Sequence, residues 1–457
     1  MKDFISLLQQ ILFAGAIAIT AFVVYSRVMF IANNIKLGKA LHIDDRKDER
    51  MKNMLLMAFG QKKMFERPLI GLMHFVIYAG FLLINVEVLE ILLDGFTGYH
   101  RLFAGVLGGL YPLLINFFEF MAFGVLAVCV VFLVRRNALI IPRLLSKDLD
   151  GFPRLDANII LVSEIFLMFC LFTMNATDSI LQTRTTDTQW GAYVTSHYEP
   201  VGTFLVSQFF IPLYKGFGTG QLLVIERLAW WIHILGIMGF AVYVTYSKHL
   251  HIGLAFPNTY FANLNPKGQF SNMDTVTKEV QSMLGVPVTV EVPESTDGQV
   301  GRFGAKDVQD LTWKNLMDAY SCTECGRCTA SCPANLTGKK LSPRKIMMAT
   351  RDRMEDIGNN VKLHGEGYDD GKSLYGDYIS KEELLACTTC NACVDACPIN
   401  INPLEIIVEL RRYAAMEESS MPASWNMMSA NIENNGAPWA FPTSDRFNWA
   451  TELINKG

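Results

Sequence analysis

Eight cysteines carry the clearest chemistry in this chain. They stand in two runs of identical spacing, Cys322-x2-Cys325-x2-Cys328-x3-Cys332-Pro333 and Cys387-x2-Cys390-x2-Cys393-x3-Cys397-Pro398. Three thiolates at intervals of three residues can wrap three iron corners of one cubane, while the fourth leaves its own run at a proline turn. Where two [4Fe-4S] clusters share a domain, that fourth cysteine ligates the other cluster. The spacing therefore predicts one centre on Cys322, Cys325, Cys328 and Cys397, and a second on Cys387, Cys390, Cys393 and Cys332. Zinc is the competing use of closely spaced thiols. Four-thiolate zinc sites, however, are built from two CxxC knuckles with a long gap between them, a form that two complete runs closed by proline do not have. Cys129 and Cys170 stand alone in apolar stretches. Thiols crowded into two groups indicate metal ligation in a reducing compartment, not a disulfide scaffold.

Histidines in or beside long apolar stretches form the second set. An imidazole stripped of water in hydrocarbon needs a partner, and a b-type haem held by two histidines on facing helices supplies one. His74 lies about two turns inside the second apolar stretch and His233 near the middle of the last. His251 follows His233 by 18 residues, about five turns if the helix runs on unbroken, so the two would share one face. His249 would face the opposite way. The expected inner haem uses His74 and His251, with His249 as a substitute; the outer one uses His233 and His100. At each position a hydrogen-bonded structural histidine is the alternative. Glu87, Glu90 and Glu119 also fall in apolar stretches, where a carboxylate either exchanges the protons of quinone chemistry or ties helices together.

The elements that must position these groups divide the chain in two. Hydrophobic residues make up 51% and charged residues 18% of the 457, and the apolar bias ends near position 248. Five stretches, 4–30, 68–93, 110–134, 159–177 and 222–246, approach the ~20 apolar residues that cross a bilayer. Residues 201–213 are apolar but too short, and read as an interfacial segment or a lead-in to the last span. No small-residue cleavage site follows the first stretch, which is read as a retained span. Nine Lys or Arg fall in 33–67, and Arg135, Arg136, Arg143, Lys147 and Arg154 follow the third span, against Arg101, Arg184 and Lys215 on the other side. Basic loops stay inside. The N-terminus is therefore expected outside a bacterial inner membrane, with the cysteine half in the cytoplasm. A net charge of -4 without a basic tract gives no reason to expect nucleic acid.

The expected fold class is all-α. It comprises a five-span transmembrane helical bundle (1–250), a polar connector (251–302), a mainly helical dicluster ferredoxin-like domain (303–415) and a polar tail (416–457). Helix-like stretches at 342–357 and 380–386 fill the interval between the cysteine runs. Lys339, Lys340, Arg344, Lys345, Arg351 and Arg353 predict a basic patch, either a solvated face or a docking surface for an acidic partner or anionic lipid.

The run Tyr320-Ser-Cys-Thr-Glu-Cys-Gly-Arg-Cys-Thr-Ala-Ser-Cys-Pro-Ala-Asn, followed by Thr337-Gly-Lys-Lys-Leu-Ser-Pro343, resembles the membrane iron-sulfur-binding reductases related to heterodisulfide reductase. That group includes the membrane reductase for electron-transfer flavoprotein. The five-span part is similar to the cytochrome b (gamma) subunit of respiratory nitrate reductase. The resemblance covers 1–250 loosely and 303–411 closely. It implies b haem on histidines of the second and fifth spans, where His74, His233 and His251 fall, and electron exchange with menaquinone. The cytochrome pattern has two histidines within the second span; this chain has His74 and then His100 beyond its end. Longer relatives carry a CCG-type cysteine domain, and no cysteine follows Cys397 here. The resemblance thus implies a separate soluble iron-sulfur (CCG-type) or flavoprotein partner, with this chain as a quinone-linked oxidoreductase subunit. The rival is a haem-free membrane anchor that tethers a dicluster module within a larger complex.

Overall fold

The structure is a computed structural model that describes residues 2–290 and 302–455, so residues 291–301 of the expected connector lie outside it. Among the described residues there is no strand, only two isolated bridges. Five helices are long and apolar enough to cross a membrane. They are α1 (Lys2–Ile35), α3 (Pro68–Thr97), α4 (Tyr111–Asn137, led in by a short helix at Leu102–Leu107), α5 (Phe152–Leu181) and α6 (Thr219–Val244); the short α2 (Lys47–Met54) lies between the first two. Pro68, Pro112 and Pro153 sit in the first turns of α3, α4 and α5. A missing N–H costs nothing there and the fixed φ suits a helix start. The all-α class and the five spans expected from hydropathy are therefore present, and most of the helices run beyond their apolar stretches.

Inside the bundle, Phe13 of α1 is fully buried against Trp230, Trp231 and Phe96. Gly95 is needed opposite it, because a Cβ there would come within 2.5 Å of the Phe13 ring. The outward faces carry Leu7, Ile11, Ile19, Phe22, Leu69, Leu72, Leu113 and Val224, all exposed. A belt of this extent exceeds what soluble monomers leave in water, and the protein is membrane-associated. The short apolar segment tucks against the bundle as a 3-10 turn (Ser207–Phe210) and one helical turn (Ile211–Tyr214). Its turn is held by Glu119, whose carboxylate accepts from the Val206 N–H at 2.7 Å, the Ser207 N–H at 3.2 Å, the Ser207 hydroxyl and the Asn175 amide at 3.1 Å. Glu119 is thus a saturated anchor.

His233 and His251 do not share a helix as their spacing predicts, because α6 ends at Val244 and Ser247 turns extended (φ -107°, ψ 157°). The Ser247 hydroxyl donates to Asp156 at 2.6 Å and accepts the His249 N–H at 3.1 Å. These bonds compete with continuing the helix. A single 3-10 turn follows, and His251 opens a new helix, α7 (His251–Tyr260).

The C-terminal helical unit contains α8 (Trp313–Ser321), α9 (Pro343–His364), α10 (Lys381–Leu385) and α11 (Pro403–Met416) around a core of Leu311, Leu316, Ile346, Met354, Ile379, Ile406 and Leu410. Ile31 from the last turn but one of α1 belongs to that same core. The unit is seated directly on the end of the bundle. Arg27 bonds Glu355 at 2.7 Å, Asn34 bonds the Tyr320 hydroxyl at 2.8 Å, and Lys39 pairs backbone with Leu311 and Trp313. Gly38 and Gly358 permit this approach, since a Cβ at either would overlap the Trp313 backbone or the Asn34 side chain.

Candidate iron-sulfur and histidine sites

Each cysteine run follows a short capped helix and precedes a longer one. Thr312 and Ser380 cap α8 and α10 through capping boxes with Asn315 and Glu383; Ser342 and Asn402 cap α9 and α11. These caps satisfy the open N–H groups of each first turn. Between the helices the two loops repeat one backbone path. Glu324 and Thr389 take φ of 55° and 54°, and Gly326 and Asn391 take 72° and 61°. Left-handed residues beside Cys325 and Cys390 curl each loop back on itself, and in the first loop the three thiols line a common cavity. At Gly326 the choice is forced twice over, because a Cβ would also come within 2.5 Å of the Arg344 guanidinium. At the equivalent position stands Asn391, and Asn is among the residues that tolerate this region.

The loops exchange their fourth cysteines. Cys322, Cys325 and Cys328 line one cavity together with Cys397, Pro398, Ile399 and Ile401. Cys332 instead lies among Cys387, Cys390 and Cys393, close enough for their charges to repel. Backbone N–H groups point at sulfur in both places, from Ile401 to Cys397 at 3.3 Å and from Thr389 to Cys387 at 3.4 Å. Burial pushes the Cys322, Cys393 and Cys397 thiols up to about 12. Thiols so crowded and dry resist becoming thiolates until a cation shares the space, the setting that iron supplies. Each group has two buried thiols, Cys322 and Cys397 in the first and Cys332 and Cys393 in the second; the groups differ at Cys390, which is exposed.

The histidines separate into three places. His74 of α3 sits near His249 and His251, whose rings lie 5.4 Å apart. Burial, and then the charge of His251, hold His249 down to about 3; burial holds His251 below its usual value. Both are therefore neutral near pH 7, the form that ligates metal. His74 Nδ1 lies 3.0 Å from Gln61 Oε1, and His251 Nδ1 3.1 Å from the Lys248 carbonyl. An oxygen acceptor at Nδ1 selects the tautomer whose Nε2 bears a lone pair, and it orients the ring as the outer partners of metal-bound histidines do. His233 is buried between α5 and α6, its Nδ1 donating to the Leu167 carbonyl at 3.0 Å. His100 lies at the far end of the bundle with both nitrogens engaged, Nε2 with Asp178 at 3.2 Å and Nδ1 with Arg227 at 3.4 Å. The structure thus brings His74 and His251 together, and leaves His233 and His100 in separate hydrogen-bonded settings.

The expected basic patch is not a free positive surface. Arg344 is fully buried on Asp148 at 2.5 Å, Arg351 bonds Glu324 at 2.7 Å, Arg353 bonds Asp307 and Asp370 at 2.7 Å, Lys345 bonds Glu383 at 2.6 Å and Lys340 pairs with Glu382. Helix spacing put the cations on view in the sequence, but Asp148 stands 196 residues from Arg344. Sequence reading also missed Lys248 and Glu324, which meet across the two halves. A buried network at the far end was missed as well: Arg101 bonds Asp178 at 2.6 Å, Asn175 at 2.8 Å and the Tyr111 hydroxyl at 3.1 Å, and Tyr111 donates to Glu90 at 2.8 Å.

The exchanged loops explain why residues 321–401 match the family described as the 4Fe-4S dicluster domain. This segment is a 4Fe-4S dicluster domain. Around it, the chain is 29% identical over 466 aligned residues to the probable iron-sulfur-binding oxidoreductase FadF of Bacillus subtilis, covering 95% of this chain and 60% of that protein. It is 25% identical to the EtfAB:quinone oxidoreductase of Syntrophomonas wolfei, over 90% of this chain and 55% of that one. The dihydromethanophenazine:CoB–CoM heterodisulfide reductase of Methanosarcina mazei contributes a shorter match, in which one of its polypeptides is 31% identical over 147 residues, 31% of this chain and 35% of its own length. The chain therefore spans little more than half the length of the first two. Its relatives are iron-sulfur oxidoreductases. No solved structure matches.

Proposed function

We propose that this chain is a membrane-bound electron-transfer subunit. It moves electrons between a soluble redox partner and the quinone pool, menaquinone or a similar quinone, through two [4Fe-4S] clusters and a b-type haem. The observation that carries the reading is the link through Lys248, which bonds Glu324 of the Cys322 loop and His251, at the end of the bundle where the dicluster domain sits. In this reading Cys322, Cys325, Cys328 and Cys397 hold one cluster, and Cys332, Cys387, Cys390 and Cys393 the other. Nε2 of His74 and of His251 would hold the haem, with His249 as the alternative to His251. The clusters and haem supply one-electron carriers when bound. The protein's own part is to fix their spacing, exclude water from the Cys322 side and keep the ligand imidazoles neutral and oriented. A second haem on His233 and His100 is not proposed, because both nitrogens of His100 are already used.

The bundle would comprise 1–250, the connector 251–302, the dicluster domain 303–415 and the tail 416–457. The loop cations Arg50, Lys63, Arg136, Arg143 and Lys147 lie at the end that carries the dicluster domain, which supports an N-terminus outside and that domain in the cytoplasm. A relative named as a quinone oxidoreductase supports the quinone; a soluble flavoprotein or iron-sulfur protein fits the exposed Cys390. The test is a reduced-minus-oxidised visible spectrum of the detergent-purified chain with iron and pyridine-haemochrome assays. A b-type α band beside about eight cluster irons per chain is expected. Eight irons without haem would leave a tethered dicluster module and remove the roles given to His74 and His251.

A further inference from the structure

Glu324 is an unusual residue for its place. It stands between Cys322 and Cys325, in the left-handed region at φ 55°, and its side chain is 3% exposed. A residue with a Cβ is strained in that conformation, and burying a carboxylate is costly unless it is paired. It is paired twice, by Arg351 at 2.7 Å and by the Lys248 ammonium. Lys248 belongs to the other half of the molecule. It lies in the turn after α6, its side chain is 8% exposed, and its Nζ also donates to the Pro153 carbonyl at 2.5 Å. Its own carbonyl accepts the His251 Nδ1–H. One residue therefore joins the loop of Cys322 and Cys325 to the ring of His251.

Other ties make the same wall. Lys63 donates to the carbonyls of Asp395 at 2.9 Å and Cys397 at 3.2 Å; Arg327 donates back to the Lys63 carbonyl at 2.9 Å; and Gln61, two residues before Lys63, holds His74. Arg344 reaches the Arg143 carbonyl at 2.7 Å. These contacts gather around the loop of Cys322–Cys328 and around Cys397. The other group has Cys390 at the surface, and Arg411 closes its inner side through the Leu384 and Cys387 carbonyls.

We propose that the centre framed by Cys322, Cys325, Cys328 and Cys397 is the one that exchanges electrons with the membrane bundle across the Glu324–Lys248 contact, and that the centre at Cys390 serves the soluble partner. The proposal rests on the two-cluster reading above. At the crossing a cluster held by those four cysteines would give up one electron and a b-type haem held by His74 and His251 would take it up, a transfer that needs no proton. Glu324 and Lys248 are positioning residues, and their opposite charges act on the same centre with opposite sign. A carboxylate beside a cluster disfavours the added electron; an ammonium favours it.

The experiment uses the full, cluster-loaded chain in detergent, titrated with dithionite and followed by electron paramagnetic resonance. Cys390→Ser marks the spectrum of the solvent-side centre by changing or losing it. Glu324→Gln is expected to raise the potential of the unmarked centre and Lys248→Gln to lower it, with the marked centre unmoved. Glu324→Gln is expected to slow oxidation of the reduced clusters by a membrane-side quinone, because the raised potential lowers the driving force, and Lys248→Gln to speed it through the lowered one. Electron uptake from a soluble viologen stays as in the parent. Shifts confined to the marked centre, or neither centre moving in two variants that retain eight irons, would overturn the assignment. Lys248→Gln leaves the cysteine loop intact and decides the matter if Glu324→Gln fails to load. Lack of iron in the parent chain would instead defeat the two-cluster reading itself, and lack of haem would leave the potential test unaffected.

Discussion

At the scale of single residues, backbone handedness and free lone pairs decide the chemistry. Gly326 and Asn391 occupy equivalent left-handed positions, and at Gly326 a guanidinium stands where a Cβ would lie. Gly326→Ala is expected to cost about 1–2 kcal/mol for the left-handed conformation plus the displacement of Arg344, and to lower cluster iron. Asn391→Gly is expected to be near neutral. Thermal unfolding and iron content of the two variants check the pair. For the histidines, His74→Ala and His251→Ala are expected to abolish the b-type band while retaining about eight irons, whereas His100→Gln retains the band. A band unchanged in both alanine variants would end the haem assignment.

At the scale of elements, buried polar side chains decide where helices stop and loops dip. Glu119 was open to two readings in the sequence, a proton carrier or a packing group. Its four donors from the 203–214 segment and α5 make it an anchor. Glu119→Ala leaves those N–H groups buried without an acceptor, and bonds to a charged group are worth about 1.5–3 kcal/mol each. The variant is expected to lower the unfolding temperature and to raise hydrogen exchange at Val206 and Ser207 with α1 unaffected. The break after α6 has a similar cause. Ser247 and Asp156 offer the chain side-chain partners, so the apolar run that predicts one long helix yields two, and His251 is brought beside His74.

At the scale of the whole molecule, the dicluster domain is clasped to the bundle by buried ion pairs, among them Asp148–Arg344, whose guanidinium is fully enclosed. Burial by itself would raise the Asp148 carboxyl, but its bonds from Arg344, Ser146 and Ser342 outweigh that and hold it below 3.8. A group depressed in the folded state contributes stability that is present above its unfolded value and lost as pH falls through the folded one. The clasp is therefore expected to be intact above about pH 4 and to weaken in more acid solution, read as faster proteolysis of the 137–151 loop. Asp148→Asn should give the weakened state at neutral pH, at a cost of about 3–5 kcal/mol for stranding a buried arginine, and should flatten that acid dependence.

The spacing of the cysteines and the length of the apolar runs were sufficient for the all-α class, the five membrane helices and the dicluster domain. Each of those signals is carried by contiguous residues, where covalent spacing and the cost of exposing apolar surface act locally. Other features depend on groups far apart in sequence: the neutralisation of Arg344 and Arg353 by distant aspartates, the saturation of Glu119, and the meeting of Lys248 with Glu324. The placing of His100 apart from His233 is of the same kind. Packing of the bundle against the dicluster domain, and of the helices against one another, decided them, because a buried charge takes whatever partner the tertiary structure brings within reach.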